Sequence, residues 1–312
     1  MATPYRISES KQTLEPIRAI EGWQTLTPDE ARGIIWLFEE PRPNAVYVVG
    51  CDPAMGQTGW DRTIPQDAKT DNSAIEVFRL GKREVKQLEK CEPCKTTPAE
   101  GCTACKERIV VIPTDFQVAE YAAPVDYEQC AAIVNALGRL YRGNGRMGVA
   151  HTIIEVYPGP GWMVEKTLMS KYGYLNFYQR RSVDSILPQA TKGIGWQANK
   201  QSVRDLWIHG TRHVTNKNVV IRSPWLHSEM KTTDPIKFQE YKSEAQSGFK
   251  DDRLRATMLT WWALHDFSSQ VKVETGSTIE KNTKPVNWQM SAISLNTLKE
   301  EWEKRFDEIG ES

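Results

Sequence analysis

No apolar stretch in the 312 residues approaches the roughly 20 needed to cross a bilayer. The opening residues, Met1-Ala2-Thr3-Pro4-Tyr5-Arg6, lack the basic-then-apolar pattern of a secretory signal. These absences predict an intracellular chain with reduced thiols and no membrane partner. Net charge is missing too: 40 Lys and Arg balance 40 Asp and Glu, so no global basic field advertises a polyanion. Histidine is scarce, and the five present (His151, His209, His213, His227, His265) show no metalloprotease spacing. His209 and His213 are four apart, but Gly210 argues against one regular helix there. His213 is kept as a candidate phosphate contact. No internal repeat is found. With 39% hydrophobic and 26% charged residues, the chain can bury a full core in one large domain with appendages, or in two.

What is present is unevenly placed. Residues 171–260 carry 15 Lys and Arg against 8 Asp and Glu, interspersed with Tyr172, Tyr174, Tyr178, Trp196, Trp207 and Trp225. Such a basic, aromatic stretch suits a phosphate-backbone binder, although a solvated surface has the same composition. Residues 1–45 read as a lead-in with one helix over 27–38, started by Thr27-Pro28-Asp29-Glu30 and stopped by Pro41-Arg42-Pro43. Val- and Ile-rich runs predict strands at 46–51, 73–80, 108–113 and 150–156, with shorter ones at 175–178 and 218–221. Helical spacing marks 126–141, 161–172, 201–209, 225–245 and 252–266. This is an α/β alternation, and 46–268 form its main domain. Residues 269–312 read as a polar linker followed by a charged helix.

Three acidic positions stand out because they end or open apolar runs. Asp52 closes Val46-Tyr47-Val48-Val49-Gly50-Cys51, Glu155 closes Thr152-Ile153-Ile154, and Asp251-Asp252 precede the apolar stretch 254–264. A carboxylate at the end of a buried strand costs several kcal/mol unless it is paired or binds a cation. Gathered by the fold, these acids would hold two Mg²⁺ or Mn²⁺ ions about 3.5–4 Å apart, the arrangement of two-metal phosphodiester hydrolysis. Asp52 would bridge the ions, with Glu155 and the Asp251-Asp252 pair each completing one site. The plainer alternatives are a turn residue for Asp52, a surface ion pair for Glu155 and a helix cap for Asp251 or Asp252.

Val48-Val49-Gly50-Cys51-Asp52-Pro53-Ala54-Met55-Gly56 followed by Asp71-Asn72-Ser73-Ala74-Ile75 resembles the opening of the nuclease domain of tailed-phage large terminase subunits. Ile153-Ile154-Glu155 with Gly159-Pro160-Gly161, then Gly195-Trp196-Gln197-Ala198-Asn199-Lys200 with Arg204, and finally Lys250-Asp251-Asp252 with Ala256, follow in the family's order. The resemblance covers roughly residues 20–267. It implies a ribonuclease H-like fold, a mixed central sheet flanked by helices, and an endonuclease that cuts concatemeric double-stranded DNA during genome packaging in the host cytoplasm. Asp52, Glu155, Asp251 and Asp252 would then be catalytic metal ligands, and Asp71 matches a further acid near the site. Portal, small terminase subunit and packaging ATPase become expected partners. The ATPase must be a separate domain or chain, because no G-x-x-x-x-G-K-[ST] loop occurs here. Another ribonuclease H-like nuclease, such as a junction resolvase, and a non-catalytic docking module are the competing readings.

Cys91, Cys94, Cys102 and Cys105 form C-x₂-C-x₇-C-x₂-C within an insert spanning about 83–110. Four thiolates in two knuckles suit one tetrahedral, structural Zn²⁺ with no open position. Two disulfides or an iron–sulfur cluster are the alternatives. The flanks, 83–88 and 107–111, read as two strands of a hairpin, and Lys90, Lys95 and Lys106 could meet DNA or a partner. Cys51 and Cys130 read as small buried hydrophobes. Lys192, Lys200, Arg204, Arg212 and Lys217, around Gly193-Ile194-Gly195, are the candidate DNA-phosphate holders. Trp196 could stack on a base or fill the core.

Overall fold

The computed structural model describes residues 2–8, 13–54, 71–89, 106–157, 159–182, 191–216, 218–233 and 250–270. In chain order these form β1 (Thr3–Ile7), β2 (Leu14–Pro16), β3 (Ile35–Leu37), β4 (Val46–Asp52), β5 (Ser73–Glu89), β6 (Lys106–Ala123), α1 (Tyr127–Leu140), β7 (His151–Tyr157), α2 (Gly161–Tyr172), β8 (Gln179–Ser182), β9 (Thr191–Ile194), β10 (Trp196–Gln197), α3 (Lys200–Thr215), β11 (Val219–Val220), α4 (Pro224–Thr232) and α5 (Asp252–Gln270). The four insert cysteines (Cys91, Cys94, Cys102 and Cys105), Lys90, Lys95, Lys217, most of the 225–245 helix and the segment beyond 270 lie outside the described residues.

A mixed sheet organises the chain, in the order β10-β7-β4-β5-β6-β3-β1-β2, with β11 pairing β6. β4, β5 and β6 form an antiparallel meander. β7 runs parallel to β4 on the other side, and β10 parallel to β7. Helices cover both faces. Val49, Cys51, Ile154 and Val156 pack with Val164 and Leu168 of α2 and Cys130, Ile133 and Leu137 of α1. On the opposite face Val48, Phe78 and Ile153 pack with α3, α4 and α5 through Trp207, Leu226, Met258 and Trp261. The period-2 alternation of β4 and β7 therefore divides two complete cores.

α5 lies across β4, β5 and β7. Its approach depends on Gly50, where any Cβ would collide with Thr260 Oγ1 and the Ala256 carbonyl oxygen. The β5–β6 ladder continues far past the other strands, from Ser73↔Ala123 to Glu89↔Lys106. The two strands expected to flank the cysteine insert are thus present as one ribbon.

The first 45 residues are not a lead-in. β1, β2 and β3 extend the sheet beyond β6, and Trp23 and Trp36 pack with Trp225 of α4 at ring-centroid separations of 5.8 and 5.1 Å. The helix expected over 27–38 does not form. Its start chemistry is there, with Thr27 N donating to Glu30 Oε2 (2.8 Å) and Glu30 N to Thr27 Oγ1 (3.3 Å). Gly33 then adopts φ +77°, which ends the turn, and Ile35-Trp36-Leu37 gain more as a buried strand than as one helical face. The run 175–178 contributes one bridge, Phe177 to Thr152, rather than a strand. Helix α3 passes through Gly210 to Thr215, so His209 and His213 do share one helix and stack with centroids 5.9 Å apart. No helix among the described residues is long and apolar enough to cross a membrane.

Candidate metal centre

Parallel pairing of β4 with β7 sets Cys51 opposite Ile154. The next residue on each strand, Asp52 and Glu155, therefore emerges at the same sheet end. Both point away from the core that holds Cys51 and Ile154, toward α5. The start of α5 is brought to the same place by Asn72, just before β5, whose backbone N and side-chain Nδ2 both donate to Asp252 Oδ2, at 3.1 and 3.0 Å. Ser73 Oγ accepts from Ala54 N at 3.0 Å and fixes the turn after Asp52. Four carboxylates that are up to 200 positions apart in sequence thus meet across two strand ends and one helix start.

Their charges are felt mutually. Burial pushes the Asp52 carboxyl well above the usual range, and the neighbouring Glu155 raises it further; Asp252 and Asp251 add to this while Arg255 opposes it. Glu155 is raised by burial, against the pull of Arg255. Asp252 is pushed up to about 6 by burial, with Lys250 opposing and Asp251 reinforcing the shift. Glu155 Oε2 is buried and accepts no hydrogen bond. Asp71 lies at the edge of this group: its charge adds to the raising of Asp252, but its side chain is 79% exposed and 3.8 Å from Lys250 Nζ.

Arg255 is the group that the sequence reading missed. Its Nε lies 3.8 Å from Asp52 Oδ2 and its Nη1 3.7 Å from Glu155 Oε2. A signal existed: Asp251, Asp252 and Arg255 at helical spacing put the cation on the face of the acids. Among the described residues, no three His, Cys, Asp or Glu side chains are arranged to hold a metal ion as they stand. The donor set nevertheless suits a hard divalent cation: all-oxygen, clustered, partly desolvated, and with the buried Glu155 Oε2 lacking a hydrogen bond.

A second missed group anchors the first. Arg253, buried between Asp252 and Leu254, donates from Nε to Glu120 Oε1 and from Nη1 to Glu229 Oε1, both at 2.8 Å. Glu229 Oε2 accepts from Leu254 N at 3.1 Å. Gln117 Nε2 donates to Glu76 Oε2 (2.9 Å) and Glu120 Oε2 (3.2 Å). Burial pushes Glu229 up to about 8 and, with the Glu120 charge, holds Glu76 well above its ordinary value. Acids in the middle of the apolar runs of β5 and β6 were the available clue.

The candidate phosphate holders separate along α3. Ala198 N donates to Tyr157 O at 3.0 Å, which seats the helix start beside the end of β7. Lys200 and Arg204 are exposed near that start, whereas Arg212 stands about 18 Å further along the axis. Of Lys192, only the backbone on β9 is described. His213, the candidate phosphate contact on α3, has its Nε2 engaged by Asp115 Oδ2 at 2.8 Å. Trp196 is core. Cys51 and Cys130 are buried with their sulfurs 3.5 Å apart, as expected of small apolar side chains. No protein-family model matches the chain, and no curated protein sequence matches it.

Proposed function

We propose that this chain is a metal-dependent DNA endonuclease of the phage terminase type, built on a ribonuclease H-like fold. One observation carries the reading: Asp52, Glu155, Asp251 and Asp252 gather at the end of adjacent parallel strands, and burial and the neighbouring charges raise Asp52, Glu155 and Asp252. The sheet order, an antiparallel meander extended by two parallel strands, is compatible with that fold. Asp52, Glu155 and the Asp251-Asp252 pair would hold Mg²⁺ or Mn²⁺, which when bound activates a water and stabilises the leaving oxygen of a phosphodiester. Lys200 and Arg204 would hold flanking phosphates of double-stranded DNA without reading bases. Arg253 fixes the start of α5, and with it the positions of Asp251 and Asp252. The four insert cysteines would bind one structural Zn²⁺, measurable as one zinc per chain by elemental mass spectrometry.

The deciding experiment is nicking of supercoiled plasmid by the full chain with Mn²⁺, beside Asp52→Asn. Cleavage that depends on Mn²⁺ and disappears in the variant is expected; wild-type nicking that persists in excess chelator sinks the metal mechanism. A non-catalytic docking module is favoured by one observation, that no three acids are already arranged around an ion position among the described residues. That module would bind DNA or a packaging motor and leave the plasmid intact.

A further inference from the structure

Among the described residues, three aromatic side chains stand out to solvent: Tyr157 at 58% exposed, Trp162 at 52% and Tyr127 at 36%. All three belong to the sheet end that carries the acids. Tyr157 closes β7, two residues after Glu155. Trp162 follows Gly161, which lies so close to β7 that any Cβ there would collide with the Glu155 carbonyl oxygen. A Cβ on Gly159 would stand 3.3 Å from the carbonyl oxygen of Pro53, the neighbour of Asp52. Tyr127 opens α1 two residues after Val125, whose carbonyl oxygen accepts from Ser73 Oγ at 3.5 Å. Exposed cations accompany the rings. Lys166 stands one turn from Trp162 on α2, while Lys200 and Arg204 lie at the start of α3, which the bond from Ala198 N to Tyr157 O seats beside β7. Large rings left in water forgo the stabilisation that burial would give.

Resting on the nuclease reading, we propose that Tyr157 and Trp162 form a stacking platform for unpaired bases beside the acids, so that the substrate is a DNA strand locally free of its complement. In a paired duplex the neighbours cover each base face, and only base edges reach the grooves. A ring can take a base face only where the strand is single or opened. Stacking is indifferent to sequence, because every base has a π-face. It therefore adds grip without base reading, alongside phosphate contacts from Lys166, Lys200 and Arg204. A cationic track interleaved with aromatic rings is the combination by which single strands are held. A protein seated on the same rings is the less favoured occupant. It would draw three charged side chains into an interface, where charge is depleted, whereas a phosphodiester strand meets them directly.

The test is fluorescence-anisotropy titration of the full chain in chelator, where no cleavage competes. The probes are labelled oligothymidylate and a fully paired duplex of the same length. Trp162→Ala and Tyr157→Ala should each weaken oligothymidylate binding about tenfold and leave duplex binding nearly unchanged, and Trp162→Phe should restore most of the loss. Equal weakening on both probes overturns the platform. So does unchanged oligothymidylate binding, which would give the rings to a protein partner. Should a variant fold poorly, the wild-type chain answers alone through photocrosslinking to an oligonucleotide carrying 5-bromodeoxyuridine, mapped by mass spectrometry. Crosslinks at Tyr157 or Trp162 are expected; crosslinks only elsewhere overturn the proposal. Cleavage is read separately. With Mn²⁺, a duplex carrying an unpaired bubble should be cut about fivefold faster or more than its fully paired counterpart, and equal rates overturn the substrate assignment. A chain that binds oligothymidylate through these rings yet cuts neither duplex removes the nuclease reading and leaves the stacking site.

Discussion

Beneath α5 the sheet carries two groups of acids. Glu76 and Glu120, with Glu229 from α4, surround Arg253 in the interior, where the guanidinium, Gln117 and a backbone amide donate to them and Glu76 Oε1 is left without a hydrogen bond. Asp52 and Glu155, with Asp251 and Asp252, lie at the sheet end, where Arg255 forms ion pairs with the first two at 3.8 and 3.7 Å. Both groups are desolvated and both contain an arginine from the same helical turn. The inner one has the geometry of a structural clamp. The outer one crowds four carboxylates at the sheet end, the condition under which an added cation binds.

The largest test of this contrast removes each arginine's or acid's charge in turn. Arg253→Met leaves Glu120 and Glu229 buried without their counter-charge and should destabilise the fold by about 3–5 kcal/mol, read by urea unfolding. Asp52→Asn should do the reverse. In chelator it relieves repulsion and should hold or raise the melting temperature by about 2 °C, while Mn²⁺-dependent cleavage falls on the order of a hundredfold or more. A strongly destabilised Asp52→Asn would make the outer group structural as well.

Proton linkage sharpens the same division. Asp252 has its folded pKa raised to about 6 from 3.8, so protonation favours the fold. That contribution is complete below about pH 3.8 and is lost as pH rises through 6. Mn²⁺ must displace the same proton, so stabilisation by Mn²⁺ should be larger at pH 7.5 than at pH 5, as melting curves at both pH values would show. The smallest expected effect concerns α3. Replacing Lys200 and Arg204 by Ala should reduce the salt slope of DNA binding by nearly two, whereas Arg212→Ala, at the far end, should leave it unchanged.

Much of the frame was legible along the chain. β4, β7, α1 and α2 follow from apolar period and cap chemistry, and Asp126 accepts from Gln129 N as an N-cap should. Asp52 and Glu155 were visible because an acid closing an apolar run is locally anomalous. The helix expected at 27–38 failed because a real capping turn was followed by three residues with a better partner, the edge of β6. Arg253 and Arg255 went unseen for a different reason. A basic residue on a helix reads as solvated surface until something is packed over it.

Local pattern alone therefore determined which segments become strands and helices and which acids sit at their ends, since periodicity and capping act over a few residues. The tertiary structure decided that these acids share one place, through the parallel register of β4 with β7 and the seat that Gly50 opens for α5. It also decided which arginine joins the interior acids and which faces the acids at the sheet end. Charge–charge energies depend on separation and on the surrounding dielectric, and neither exists until the chain has folded.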